Sequence, residues 1–110
     1  PLTGKYLGGQ MPQGSRLALF GDGPLMMRYK GDKTQQAIEM YVNLAKKYEI
    51  DPAQLAIQFC NIQPFVTSTI IGATTMEQLK TCIDSVDLDI TKEIMNEIRG
   101  IHKEIPNPAP

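Results

Sequence analysis

The stretch STIIGATTMEQLKTCIDS, residues 68–85, changes character at its glycine. Its first half is rich in β-branched residues, and we expect a strand at Thr67–Ile71. After Gly72 the pattern favours a helix, with Thr74 as the N-cap and Glu77 three positions later as its capping-box partner. A strand that leads into a helix N-terminus presents unpaired backbone N–H groups. The sequence therefore predicts a small polar binding site at this turn.

The composition is typical of a globular chain. The 110 residues are 42% hydrophobic and 21% charged, with a net charge of -1. Without a basic excess we expect no nucleic-acid partner, and no apolar run is long enough to span a membrane. The first residues, PLTGKYLGG, lack the pattern of a signal peptide, so we expect a cytoplasmic location.

The possible metal ligands are few. Cys60 and Cys82 fall on apolar helical patterns and are interpreted as reduced core thiols, while the sequence leaves a disulfide open. His102 is the single histidine, and spacing places no Ser, Cys or carboxylate beside it. We therefore expect His102 to be half-exposed and structural, and we predict no metal site.

Helical periodicity predicts four helices around the strand. The first begins near Asp32, with Gln35 as its capping partner. The second is capped by Asp51 and is apolar nearly all round, which predicts a buried helix. The third runs from Met76 to about residue 85. The fourth is capped by Thr91 and carries one apolar face, made of Ile94, Ile98, Ile101 and Ile105.

The two ends of the chain are predicted to be irregular. Residues 1–33 are rich in Gly and Pro and predict a long loop with at most a turn of helix near Arg16–Phe20. The terminal PNPAP is predicted to be loose. We therefore expect a mainly α chain with one or two short strands. Because a single strand leaves its own backbone groups unpaired, it must pair with another copy or belong to a larger sheet.

Several separated motifs resemble the aldo-keto reductases, in particular the Tas-like branch related to the potassium-channel β-subunit reductases. The motifs occur in the family's order: LTGKY at 2–6, DPAQLAIQF at 51–59, QPFVTSTIIGATT at 63–75 and PAP at 108–110. The resemblance implies a C-terminal fragment of a (β/α)₈ TIM barrel, since about 250 residues are needed for a whole barrel. Residues 1–33 would be the cofactor-side loop after the seventh strand. Residues 34–110 would hold the seventh and eighth helices and the eighth strand, as a single partial domain.

The resemblance also implies a function and a set of binding residues. The family reduces aldehydes and ketones with NADP(H), so the intact parent would take a small-molecule carbonyl substrate. Lys5 matches the lysine that meets the pyrophosphate, and Arg16 matches an arginine on the adenosine phosphate side. Gly72, Thr74 and Gln78 match the turn that receives the ribose and its phosphate. Thr81 and Cys82 stand where the family usually has Glu and Asn.

The family's catalytic Asp, Tyr, Lys and His come from earlier strands, and no position of this chain matches them. We therefore expect no catalytic residue here, no reductase turnover and little or no cofactor binding by the chain alone. The alternative function is a truncated, non-catalytic helical module for self-association. On that interpretation Thr74 and Gln78 belong to an ordinary capped surface helix. In either case, we expect a second copy to cover the strand edge and the apolar helix faces.

Overall fold

The chain is mainly helical in a computed structural model that describes residues 1–21 and 23–109. The described α-helices are α1 (Arg16–Phe20), α2 (Pro24–Met27), α3 (Asp32–Lys47), α4 (Pro52–Asn61), α5 (Met76–Asp84) and α6 (Lys92–Glu104). Short 3₁₀ turns occupy Leu7–Gly9 and Ser85–Asp87. The expected mainly α class is confirmed. None of the described helices combines the length and apolar character needed to cross a membrane.

The core lies between α3, α4 and α6. Helix α3 packs against both of the others, and α4 also packs against α5. The buried cluster consists of Leu44, Ala45, Leu55, Ile94, Ile98 and Ile101. Because residues at i, i+4 and i+7 share a helix face, the predicted isoleucine face of α6 points into this cluster, as expected.

The predicted caps of α4 and α6 are confirmed, and the predicted cap of α3 is wrong. The Asp51 carboxylate accepts hydrogen bonds from the backbone N–H groups of Ala53 and Gln54, at 2.8 and 3.1 Å. Thr91 likewise caps α6. Asp32 is instead the first residue of α3, after Gly31 at the N-cap. Its carboxylate still lies in the first turn, where negative charge suits the helix dipole.

The expected strand at Thr67–Ile71 is wrong for this structure. No residue from 66 to 73 belongs to a helix or a strand. A strand is defined by hydrogen bonds to a neighbouring strand, and the described residues offer this segment no such neighbour. The Ile70 side chain is accordingly 95% exposed.

Helix α4 is less buried than its apolar composition predicted. Only Leu55 in this helix is buried, and its other apolar residues are half-buried. A groove of about 450 Å³ runs beside it, lined by Leu2, Tyr41, Pro52, Leu55, Ala56, Phe59, Cys60, Ile98 and His102. The helix is apolar on faces that the described residues do not cover.

The predictions for the cysteines and the histidine are only partly correct. Cys60 and Cys82 are free, but they are half-buried and lie outside the buried cluster. His102 is exposed, where a half-exposed side chain was expected. Its position on the outer part of α6, next to the buried Ile101, explains the difference.

The ends of the chain are more ordered than predicted. The first 33 residues hold α1, α2 and a 3₁₀ turn, where at most one turn of helix was expected. The tail, predicted to be loose, instead contacts the start of α3. The Thr34 hydroxyl donates to the carbonyl of Pro108, and the Arg28 guanidinium donates to that of Ala109 at 3.1 Å. Because Thr34 is 4% exposed, this contact gives its hydroxyl a buried partner.

Candidate binding cleft

The five residues predicted to bind a cofactor line one cleft of about 850 Å³. Lys5, Arg16, Gly72, Thr74 and Gln78 all contribute to its wall. The wall is formed by the N-terminal segment up to residue 17, the corner between α2 and α3, and the turn that leads into α5. The volume is within the usual range for small-molecule sites, about 300–1,000 Å³.

The loop that carries Lys5 is held against α3 by a glycine. Gly4 has a φ of +76°, and a Cβ at this position would lie 2.9 Å from a methyl carbon of Val42. Both the left-handed backbone and the close approach therefore require glycine. The Lys5 Nζ atom lies 5.2 Å from the centre of the Tyr6 ring, within range of a cation–π contact.

Arg16 is the first residue of α1, and two side chains pair the backbone N–H groups that follow it. The Ser15 Oγ atom accepts from the N–H of Ala18, and the Tyr6 Oη atom accepts from that of Leu17, both at 3.3 Å. Ser15 is 8% exposed. Burial by itself raises the pKa of Tyr6, but the hydrogen bonds from Leu17 and Ser15 and the charge of Lys5 outweigh it. The net result is a lowered pKa.

The turn into α5 differs from its prediction by one residue. Thr75, not Thr74, is the N-cap, and its hydroxyl accepts from the N–H of Gln78 at 3.1 Å. The N–H and the hydroxyl of Thr74 both donate to the Gln78 side-chain oxygen, at 2.9 and 3.0 Å. The sequence allows two capping pairs, Thr74 with Glu77 and Thr75 with Gln78. The Thr75–Gln78 pair forms the cap in this structure.

This pairing changes which groups of the turn face a ligand. The Thr74 N–H is paired with the Gln78 side chain and is not free for a ligand. Within the described residues, the backbone N–H groups of Met76 and Glu77 have no hydrogen-bond partner, as is usual in a first helical turn. A Cβ at Gly72 would meet no atom within 4 Å, so packing within the described chain does not require glycine there. The turn itself lines the cleft through residues 72–75 and Gln78.

Two further cations in the wall were missed by the sequence analysis. Arg28 and Lys30 line the cleft beside Lys5 and Arg16, and none of the described lining residues is acidic. The Arg28 guanidinium also bonds the Ala109 carbonyl. The sequence signal was the RYK run at 28–30, directly before α3. The electrostatic character of the cleft favours a ligand with several negative charges.

The described residues show no group of three or more His, Cys, Asp or Glu side chains that could hold a metal ion. The Gln35 side chain also lines the cleft and donates to the Tyr29 carbonyl at 2.8 Å. The chemistry of the described wall is therefore that of lysine, arginine, hydroxyl and backbone N–H donors.

Comparison with known proteins places the chain in a family. Residues 2–103 match the family model of the aldo/keto reductase family. The chain is 47% identical to Protein tas of Escherichia coli over 109 residues, 99% of this chain and 31% of that protein. It is 36% identical to an aldo-keto reductase of Babesia bovis over 105 residues, 92% of this chain and 36% of that protein.

A probable voltage-gated potassium channel subunit beta of Oryza sativa subsp. japonica is 33% identical over 107 residues, 96% of this chain and 33% of that protein. The family match covers most of the sequence. The chain therefore belongs to the aldo/keto reductase family, as its motifs indicated. It spans about a third of the length of these curated relatives, which is consistent with a fragment of a TIM barrel.

Proposed function

We propose that this chain forms the adenosine-phosphate side of the NADP(H) site of an aldo-keto reductase, an oxidoreductase that reduces aldehydes and ketones. Residues 1–33 would be the cofactor-side loop after barrel strand 7. Residues 34–110 would supply the helices and strand that follow. On this proposal the protein is cytoplasmic and its substrate is a small carbonyl compound.

The observation that carries the proposal is the charge of the cleft. Four cationic side chains, Lys5, Arg16, Arg28 and Lys30, line it together with the first turn of α5, and no described lining residue is acidic. NADP(H) carries a pyrophosphate and a separate phosphate on its adenosine ribose. Lys5 would bind the pyrophosphate, and Arg16 the ribose phosphate. Gly72, Thr74 and Gln78 would contact the ribose side.

The bound nicotinamide would supply the hydride for carbonyl reduction, and this chain would hold the other end of the molecule. None of its residues matches the family's catalytic Asp, Tyr, Lys and His. Exposed phosphate contacts compete with water and salt, so each contributes little. The chain alone would therefore bind NADPH weakly and reduce no aldehyde.

Amide NMR titration of the 110-residue chain tests this proposal, because it detects weak, local binding. NADPH should perturb the amides of Lys5, Arg16 and Thr74, with saturation only in the millimolar range. NADH, which lacks the ribose phosphate, should perturb Arg16 less. NADPH oxidation with a generic aldehyde should not exceed the rate without protein.

Absence of any perturbation in the cleft, or equal responses to NADPH and NADH, would overturn the assignment of the cleft. Turnover at a rate near that of a complete reductase would overturn the inference that catalysis needs residues beyond these. Arg99→Ala is the matched control, because Arg99 is an exposed cation on α6 outside the cleft. Its titration should equal that of the unsubstituted chain.

A second candidate function, a non-catalytic module for self-association, is favoured by one observation. Phe65, Ile70 and Met76 are 81%, 95% and 79% exposed. Apolar side chains at this level of exposure in one stretch are typical of an interaction surface. A chain that self-associates and leaves the cleft amides unperturbed by NADPH would favour this function over the first.

A further inference from the structure

The phenol of Tyr6 joins two segments that each carry a cation of the cleft. We propose that Tyr6 is a positioning residue that sets the spacing between Lys5 and Arg16, and so tunes the cleft to a ligand with two separate phosphate groups. This inference rests on the proposed function, since it concerns how the same cleft binds NADP(H).

The first observation is the hydrogen bond itself. The N–H of Leu17 donates to the Tyr6 Oη atom at 3.3 Å, across eleven positions of sequence. Helix α1 has only five residues, and helices this short are unstable unless neighbouring groups support them. Ser15 pairs one of its first N–H groups and Tyr6 pairs another. A side chain from a distant loop therefore helps to form the turn that begins with Arg16.

The second observation is where this bond lies relative to the charges. Lys5 directly precedes Tyr6, and Arg16 directly precedes Leu17, so the bond joins the immediate neighbours of both cations. The Lys5 side is itself fixed, because Gly4 packs closely against Val42 of α3. The bond therefore connects α1 to a loop that is anchored on the core. Without the hydroxyl, Arg16 would lose this connection to the Lys5 loop.

The consequence differs between ligands. A ligand that contacts both cations binds more tightly when their spacing is already fixed. Binding then does not have to order the two segments, and this entropic cost is avoided. A ligand that uses one cation gains nothing from the spacing. NADPH carries both phosphate groups, whereas inorganic pyrophosphate and adenosine 2′-phosphate each carry one of them. Tyr6 should therefore affect NADPH affinity selectively.

The test is Tyr6→Phe, titrated by NMR with these three probes. Removing the hydroxyl should weaken NADPH about threefold to fivefold, and by no more than Arg16→Ala does, because the hydroxyl acts only through the Arg16 contact. The affinities for pyrophosphate and adenosine 2′-phosphate should stay within about twofold, since in these probes the contact of each phosphate with its own cation remains. Tyr41→Phe, which removes a phenol hydroxyl outside the cleft, should leave all three affinities unchanged. Equal weakening of all three probes by Tyr6→Phe would contradict a positioning role.

A double-mutant cycle with Arg16→Ala gives a second readout. If Tyr6 acts through the spacing of the two cations, Tyr6→Phe should have no further effect on NADPH affinity once Arg16 is absent. Additive losses would overturn the inference. Should the unsubstituted chain bind none of the three probes, the proposed function fails as well. Should it bind them without a selective loss in Tyr6→Phe, only the positioning role fails.

Hydrogen exchange tests the link without any ligand. In Tyr6→Phe the Leu17 amide should exchange faster, because its acceptor is gone, while the amides of Ala45 and Ile98 in the core keep their protection. Unchanged exchange at Leu17 would show that the bond does not hold α1. Loss of protection throughout the core would show that Tyr6 supports the whole fold, and would equally contradict a local role.

Discussion

The α3–α4–α6 core and the segment from Phe65 to Met76 differ in what buries their apolar residues. Ala45 and Ile94 in the core are 0% and 3% exposed. Phe65 and Ile70, equally apolar, are 81% and 95% exposed. Helices satisfy their own backbone and need only a packed face, whereas a strand needs a neighbour for every N–H and C=O. Within the described residues, the helical part buries its apolar side chains through its own contacts and the strand-like part does not.

Isoleucine-to-alanine substitutions in the two regions should have very different effects on stability. Ile94→Ala removes buried methyl groups from the core and should lower the free energy of unfolding by about 2–5 kcal/mol. Ile70→Ala is the matched control and should change it by less than about 0.5 kcal/mol, because the side chain is already exposed. Urea unfolding followed by circular dichroism measures both. Similar losses at the two positions would contradict the proposed difference between the regions.

Self-association should depend on the exposed region and not on the core. We expect the chain to form dimers or larger species in light scattering, because exposed apolar stretches and unpaired backbone favour association. Phe65→Glu with Ile70→Lys should shift the mass towards the monomer without changing the helical circular dichroism. A stable monomer of the unsubstituted chain at high concentration would refute this expectation.

The same difference explains which parts of the structure the sequence could predict. Caps such as Asp51 and Thr91, and the isoleucine face of α6, depend on residues within one or two turns, and these predictions are correct. The strand at Thr67–Ile71 and the burial of α4 depend on neighbours that periodicity does not specify, and these predictions are wrong. At Thr74 and Thr75 two cap registers compete. The structure adopts the register in which the Thr75 hydroxyl accepts from the Gln78 N–H.

The sequence predicted some of the residues of the cleft and missed others. Lys5, Arg16, Gly72, Thr74 and Gln78 were named from motifs, and the structure brings them to one wall. Arg28 and Lys30 reach that wall through the corner between α2 and α3, whose course no local pattern fixed. The docking of the tail on Thr34 is a long-range contact of the same kind.

Arg16→Ala should affect cofactor choice rather than stability. Its guanidinium is exposed on the cleft wall, so its removal should leave the urea midpoint unchanged. NADPH affinity should fall about twofold to fivefold, because an exposed ion pair contributes up to about 1 kcal/mol. NADH affinity should fall less. Competitive titrations at two ionic strengths measure the difference, which should shrink at high salt. Equal losses for both nucleotides would remove Arg16 from the ribose-phosphate position.

The smallest expected effect on stability concerns the helical core. There, Glu97 of α6 is hydrogen-bonded to the end of α3. Its carboxylate accepts from the Lys47 Nζ atom at 2.7 Å and from the Tyr48 hydroxyl at 2.5 Å. These hydrogen bonds, that of Lys47 first, hold the pKa of Glu97 below its ordinary value of 4.5. Because the unfolded chain then binds a proton more readily than the folded chain, the stabilisation is fully present above pH 4.5. It is lost as the pH falls through the folded-state pKa.

In Glu97→Gln, the urea midpoint should therefore decrease less on acidification than in the unsubstituted chain. At neutral pH the substitution should lower the midpoint slightly. The exposed lysine keeps the effect small, since its side chain is 59% accessible and water screens the pair. Glu39→Gln is the control, because it makes the same chemical change at an exposed carboxylate on α3. It should leave the acid limb, the decrease of the urea midpoint at low pH, unchanged. If the two variants give the same acid limb, the contact between α3 and α6 stabilises the core through packing alone, and the Lys47–Glu97–Tyr48 cluster contributes nothing to it.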